Sequence, residues 1–521
     1  MNRGLGSVRT RLVAIASLAL AWAVARAGVS EVVNVNGWPA FARFWSSVVD
    51  PETSAEFLRL TYEATLTTAA FAVLGATGAI VIGLFGSLLM TELVVSSDGL
   101  RRVSTAIAAV PRSVHEILIA LLLVQVFGFD PIVAVLAIAV PFGAVTAKVF
   151  ADLFDDADRV GYDALRASGA GRLGALVYGV GPNVRPELAS YGFYRFECAI
   201  RSAAVLGIVG VGGLGFQLDL SFESLRYAEI WTLIVALMVL SGLADALSSV
   251  VRHRRLRTVP RRLRPPPIAW VIALGAALGW AWWQVGLDLS SLWSARTRER
   301  AASFGSELLR PRLGPGGWSE LGAAIVDTVA LSILATVIAV VVGLIGAASI
   351  RRRSVGVNAA LAPVRRGTGR TVLLLFRAVP APVWAFLFVL VLYPGLWPGA
   401  VALGVYNAGV LGRLFAEAIE SQLDDAERAV LLAGGGGAVA WAYGVLPASA
   451  PRLVSLTVYR AEVIVRETIV IGVVGAGGLG QLIRDHLVAR DFAAVSGVVI
   501  VLIVLASAAD ALGHVVRRTL R

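Results

Sequence analysis

Tyr194-Arg-Phe-Glu197-Cys-Ala-Ile-Arg201 and Gly210-Val-Gly-Gly-Leu-Gly215 return later in the chain as Tyr459-Arg-Ala-Glu462-Val-Ile-Val-Arg466 and Gly475-Ala-Gly-Gly-Leu-Gly480. Each matched position moves by one step, from 194 to 459, or 265 residues. The same step carries Tyr178-Gly-Val-Gly-Pro182 onto Tyr443-Gly-Val-Leu-Pro447 and Ala244-Asp-Ala-Leu247 onto Ala509-Asp-Ala-Leu512. A register kept without a gap through charged, glycine and proline positions marks a duplication. We read two copies, 1–251 and 267–521, joined by a basic, proline-punctuated linker at 252–266.

Outward from these motifs the chain is apolar. Of 521 residues, 57% are hydrophobic and 16% charged, where soluble domains run at about a quarter charged. Runs long enough to cross a bilayer, about 20 residues, recur throughout. The fold class is therefore an all-α polytopic membrane protein; a β-barrel would need short alternating segments instead. Six spans per copy are expected, near 11–28, 61–90, 103–127, 131–152, 188–210 and 228–251, then 267–286, 321–350, 371–392, 396–419, 453–475 and 492–516. The apolar run after Arg9 and Arg11 ends in Ala-Arg-Ala, and a comparable run opens the second copy, so it reads as a retained span rather than a signal peptide.

The net charge of +11 comes almost wholly from arginine, Lys148 being the only lysine. These arginines punctuate apolar runs, which argues for topogenic charge and against nucleic-acid binding. With both termini in the cytoplasm, the inner face receives Arg3, Arg9 and Arg11, Arg101-Arg102, the linker, Arg351-Arg352-Arg353, Arg365-Arg366 and Arg517-Arg518. An even span count leaves the copies parallel, related by a pseudo-two-fold axis along the membrane normal. A pore between two equivalent halves would suit that symmetry. Cys198 is alone, and His115, His253, His486 and His514 lack ligand spacing, so neither a disulfide nor a metal site is expected.

Before each fifth span lies a polar, glycine-rich segment that cannot cross a bilayer. Asp163-Ala164-Leu165-Arg-Ala-Ser-Gly169 precedes Pro182, and Arg428-Ala429-Val430-Leu-Leu-Ala-Gly434 precedes Pro447, thirteen residues from glycine to proline in both. The local reading is a short helix ended by glycine, a second short helix, and a stop at proline. This segment resembles the coupling motif of binding-protein-dependent ABC permeases: Glu-Ala-Ala, three residues, Gly, nine residues, then Ile-x-Leu-Pro. The acidic position is Asp163 in one copy and Arg428 in the other, with Glu427 one place earlier, and the Ile position holds Gly179 and Gly444. Tyr-Arg-x-Glu-x-x-x-Arg, the glycine loop, the late Asp-Ala-Leu, Arg377-Ala-Val-Pro380 and Phe415-Ala-Glu-Ala-Ile-Glu420 are similar to phosphonate-type permeases within that family.

The resemblance implies an inner-membrane subunit of a bacterial importer that moves phosphonate, phosphate or phosphite by alternating access. It implies contact of Asp163, Ala164, Gly169, Pro182, Arg428, Ala429, Gly434 and Pro447 with two copies of an ABC ATPase. ATP and Mg would be bound by that ATPase, with no cofactor or catalytic residue in this chain. A soluble solute-binding protein would deliver the cargo from outside. Members of the family usually carry one such unit per chain, so this chain fuses the pair. The chain has no Gly-x-x-x-x-Gly-Lys-Ser/Thr loop of its own, and its one lysine is followed by Val149.

Within the fifth spans, a charge at bilayer depth costs roughly 2.5–3.5 kcal/mol, so Arg201 and Arg466 must face protein or water. Glu197 and Glu462 stand four residues earlier, at ion-pair spacing on a helix. Either each pair stitches helices together, or the guanidinium forks attract an oxyanion. The candidate solute path comprises Arg201, Arg466, Glu197, Glu462, Arg195, Arg460, Gly212, Gly213, Gly477 and Gly478. Gly210-x-Gly-x-x-Gly215 and its repeat literally match the dinucleotide fingerprint, but they follow a membrane span rather than a strand. They read better as helix breaks where backbone approaches backbone or solute, with N–H groups that could greet an anion. Asp245 and Asp510 read as structural partners of nearby arginines. The competing functions are a permease for another solute such as an amino acid, an ion-coupled secondary transporter, and a membrane-embedded enzyme. The last would need a cluster of His, Asp or Ser that the chain lacks.

Overall fold

The computed structural model describes residues 2–29, 32–253, 267–350, 361–421 and 425–520. Arg351-Arg352-Arg353 and linker residues 254–266 lie outside these, as do the side chains of Arg3, Arg9 and Arg11. Among the described residues the regular structure is helical, apart from one isolated bridge between Val33 and Leu392. Six helices are long and apolar enough to cross a membrane, and four further pairs pass that test together but bend at a short break. Two shorter apolar helices, Ala14–Ala27 and Val271–Val285, fall where the first span of each copy is expected.

The chain divides into two compact units, Ser47–Ser306 on the one hand and Met1–Ser46 with Glu307–Arg521 on the other. These units do not follow the sequence repeats over their first segments. The helix Pro267–Val285, which opens the second copy, packs on Ala55–Met90 of the first. Correspondingly, Asn2–Ala27 packs on Gly317–Ile350. The stretch after it is fixed by hydrogen bonds from Asn34 N to Val391 O (2.8 Å) and from Tyr393 N to Val32 O (3.1 Å).

Within Ser47–Ser306, the core pair is Ala55–Met90 against Pro131–Asp155. Small residues let these backbones approach, as membrane helices require. A Cβ on Gly75 would stand 2.7 Å from Ile138, and one on Gly83 2.4 Å from Thr146. Gly181–Leu206 and Tyr227–His253 complete the bundle. The other unit repeats this with Gly317–Ile350, Leu396–Glu420, Leu446–Val473 and Phe492–Leu520.

Two local expectations are corrected and one is extended. The third spans, expected as single runs over 103–127 and 371–392, are broken. Asp98–Ser113 meets Glu116–Phe127 at 90°, and Pro363–Ala378 meets Ala381–Val391 at 97°. His115 accepts from Ile117 N through Nδ1 to start the second segment, and Pro380, which has no N–H, starts its counterpart. The fifth spans break at the glycine loops, as expected, by 56° and 42°, and lead into short helices Leu214–Glu223 and Gly478–Val488 that the sequence reading did not include. Finally, Pro182 and Pro447 do not stop a helix. The π-helical stretches Leu176–Val180 and Ala440–Val445 run straight on past them into Gly181–Leu206 and Leu446–Val473.

Candidate functional site

The segment 160–182 folds as the short helix Val160–Ala167, closed by Gly169 at φ +91, and a second turn that passes through a π-helical stretch, Leu176–Val180, into Gly181–Leu206. In the second copy Asp425–Leu432, Gly434 at φ +84, and Ala440–Val445 play the same parts. Asp163, Ala164, Gly169 and Pro182 are exposed, and so are Arg428, Ala429, Gly434 and Pro447. Tyr178 and Tyr443 beside them are also exposed, at 78% and 76%.

What seats this short helix is a close approach the motif comparison did not foresee. A Cβ on Gly179 would lie 2.7 Å from the backbone N of Tyr162, and one on Gly444 2.8 Å from the carbonyl of Ala426. The family's Ile position is glycine here because the short helix rests its backbone there. Tyr162 is buried and its hydroxyl donates to the carbonyl of Leu93, in the loop after Ala55–Met90. Glu427 occupies the position of Tyr162 in the second copy and is likewise buried, so the exposed residue there is Arg428. Around the first of these helices Glu92 pairs with Arg159 and, at 3.5 Å, with Arg101. The Arg159 guanidinium holds the Glu92 carboxyl below its ordinary range.

The charged residues of the fifth helix differ between copies. Arg201 lies 3.7 Å from Glu197 and also reaches the Cys198 sulfur at 3.5 Å. In the second copy Glu462 instead pairs with Arg517 at 2.6 Å, and Arg466 Nε reaches the Glu462 carbonyl at 3.5 Å. The expected pairing of Glu462 with Arg466 is thus replaced, because Phe492–Leu520 brings its basic end beside Glu462. The arginine six residues earlier differs more. Arg460 closes a triad in which it pairs with Glu467 at 3.0 Å and donates to Asn407 Oδ1, while Asn407 Nδ2 donates to Glu467 at 2.7 Å. Arg195 instead lies over three rings, 5.1 Å from the centroid of Phe142, 4.9 Å from Tyr191 and 5.7 Å from Tyr194, and donates from Nε to Tyr191 Oη at 2.8 Å.

At the glycine loops three residues per copy are left-handed: Gly210, Gly212 and Gly213 at φ +97, +101 and +81, and Gly475, Gly477 and Gly478 at +105, +88 and +73. Among the described residues a helix, not a strand, leads into each. Behind each loop the backbones touch: a Cβ on Gly215 would stand 1.8 Å from the carbonyl of Ala204, and one on Gly480 2.5 Å from that of Ile469. The N–H of Leu214 goes to Thr68 Oγ1 and that of Leu479 to Thr328 Oγ1, which removes one donor per loop from any anion.

Two copies of a bent helical unit, each presenting a short exposed helix beside its fifth span, define a multi-pass membrane protein built by duplication. The profile of the family described as binding-protein-dependent transport system inner membrane component matches residues 79–257 and again 353–521, and the chain belongs to that family. It is a membrane subunit of an ABC importer. Over 456 residues it is 29% identical to the phosphate-import permease protein PhnE of Mycolicibacterium smegmatis, covering 86% of this chain and 84% of that one. Over 218 residues it is 30% identical to the phosphite transport system permease protein PtxC of Stutzerimonas stutzeri, covering 42% of this chain and 78% of that one.

Proposed function

We propose that this chain alone supplies the whole membrane pathway of an ATP-driven importer for a small phosphorus oxyanion. The observation that carries this reading is the similarity to a phosphate-import permease along 86% of the chain, both copies included. Two ATPase subunits dock, one on Val160–Ala167 and one on Asp425–Leu432, and a soluble binding protein presents the oxyanion on the opposite face. Both termini lie in the cytoplasm. The exposed positions around Ala164 and Ala429 supply the docking surface. The backbone contacts of Gly179 and Gly444 turn a push on the short helix into tilt of the fifth helix behind it. The bond from Tyr162 to Leu93 shares that push with the second span.

The test is purification of the chain with its ATPase and binding protein, reconstitution into vesicles, and measurement of labelled phosphate, phosphite and methylphosphonate uptake. ATP-dependent accumulation that stops when the ATPase nucleotide site is mutated supports the proposal. Accumulation driven by an ion gradient without ATP refutes it.

A further inference from the structure

The two copies use the same arginine position in opposite ways. Shifting by 265 residues aligns Arg195 with Arg460, Phe142 with Asn407, Ser202 with Glu467 and Glu116 with Ala381. In the second copy the guanidinium is neutralised by Glu467, and Asn407 bridges both, with Asn407 and Glu467 buried. In the first copy both of those partners are gone. A ring stands where Asn407 stands, and a hydroxyl stands where the carboxylate stands. The carboxylate has moved to Glu116, where the Ser202 hydroxyl engages it at 2.5 Å. Among the described residues Arg195 has no carboxylate within ion-pair distance. Its Nε and Nη2 go to Tyr191, and its Nη1 has no hydrogen-bond partner.

A cation within a membrane helix needs compensation. Ring faces supply part of it, of electrostatic origin and weaker than a carboxylate. The missing counter-charge is an anion, and a planar fork with a free edge fits a tetrahedral oxyanion. We propose that the transported oxyanion is contacted by Arg195 alone of this pair, while Arg460 is a structural ion in a closed triad. The two copies then differ in their contact with the oxyanion although the fold is duplicated. This rests on the oxyanion reading above. Weak compensation by rings also suits release, since the anion competes with no carboxylate and the arginine is never left bare.

The test uses the reconstituted complex with its binding protein, and reads phosphate accumulated and ATP hydrolysed per assembled complex. Arg195→Gln should lower uptake about tenfold or more, the size expected for losing a charge-assisted contact. Binding-protein-stimulated ATP hydrolysis should persist. Arg195→Lys should restore part of the uptake. Arg460→Gln should leave uptake per assembled complex within about twofold while lowering the yield of folded complex, because Glu467 loses its cation. A second variant keeps the arginine but silences it: Phe142→Asn, Ser202→Glu and Glu116→Ala together install the second copy's set around Arg195. Uptake should fall as with Arg195→Gln. Normal uptake in this triple variant, or equal losses for Arg195→Gln and Arg460→Gln, overturns the proposal. An unaltered complex that hydrolyses ATP but accumulates none of the three oxyanions overturns the oxyanion reading itself, and the two failures are thereby told apart.

Discussion

The backbone N–H of Leu214 donates to the side-chain hydroxyl of Thr68 at 2.8 Å, across 146 residues of chain. Thr68 in turn donates to the Ala64 carbonyl one turn below it at 3.0 Å. The second copy repeats both bonds, Leu479 to Thr328 at 2.9 Å and Thr328 to Ala324 at 2.8 Å. Threonine thus ties the second span to the first turn of the helix after the glycine loop. In a membrane no water can replace that bond.

Thr68→Val should therefore leave a buried N–H unsatisfied and lower stability by about 1–3 kcal/mol, with Thr328→Val doing the same. Thr68→Ser should keep the bond and most of the stability. Thermal unfolding of the purified chain in detergent reads the difference. A Val variant that melts with the parent would mean the loop is held by its glycines alone.

Gly179 and Gly444 make a second prediction. Alanine at either site puts a Cβ into the backbone of the short helix, at 2.7 and 2.8 Å. That helix must move outward, so ATP-driven uptake should drop severalfold in each single variant and further in the double. Gly174→Ala is the control, because nothing lies within 4 Å of a Cβ there. Equal uptake in Gly179→Ala and Gly174→Ala would show that the contact transmits nothing.

The duplication and the helical membrane class were legible because both are periodic properties of the chain itself. The short helices before the fifth spans were also legible, through Gly169 and Gly434, whose left-handed conformation is a local requirement. What escaped depends on partners distant in sequence. Thr68 and Thr328 are separated by 260 residues rather than 265, so a search at one fixed step passes over them. Arg517 reaches Glu462 only because two helices lie side by side. Proline alone does not tell a stop from a passage, and at Pro182 and Pro447 the helix runs on through a π-helical stretch. The exchange of first segments between the compact units leaves no local trace at all.

Glu92 carries a pH prediction. Its carboxyl is held below the usual range, first by the hydrogen bond from Arg159 and then by Arg101. A depressed carboxylate contributes stability that is present above its unfolded value, near 4.5, and lost as pH falls through the folded one. Glu92 and Arg159 are partly exposed, so the contribution is about 0.2–1 kcal/mol and shrinks in salt. Glu92→Gln should lower the melting temperature slightly at pH 7 and converge on the parent only as pH falls through the depressed folded value. A difference that widens toward acid would reverse the assigned sign.

Glu462 and Arg517 allow the sharpest separation of packing from charge. Glu462 is buried and its carboxylate is held by Arg517 at 2.6 Å, while Gly513 leaves room for it: a Cβ there would stand 1.6 Å from Glu462 Oε1. Removing one partner strands the other. Arg517→Gln alone should therefore cost about 3–5 kcal/mol, and the double variant with Glu462→Gln should recover much of it. Gly513→Ala should destabilise through the carboxylate it displaces, and less so once Glu462 is Gln and its neutral head can turn away. If Arg517→Gln melts with the parent and the double variant melts below both, Arg466 has taken over Glu462, and the second copy then holds its acid as the first copy does between Glu197 and Arg201.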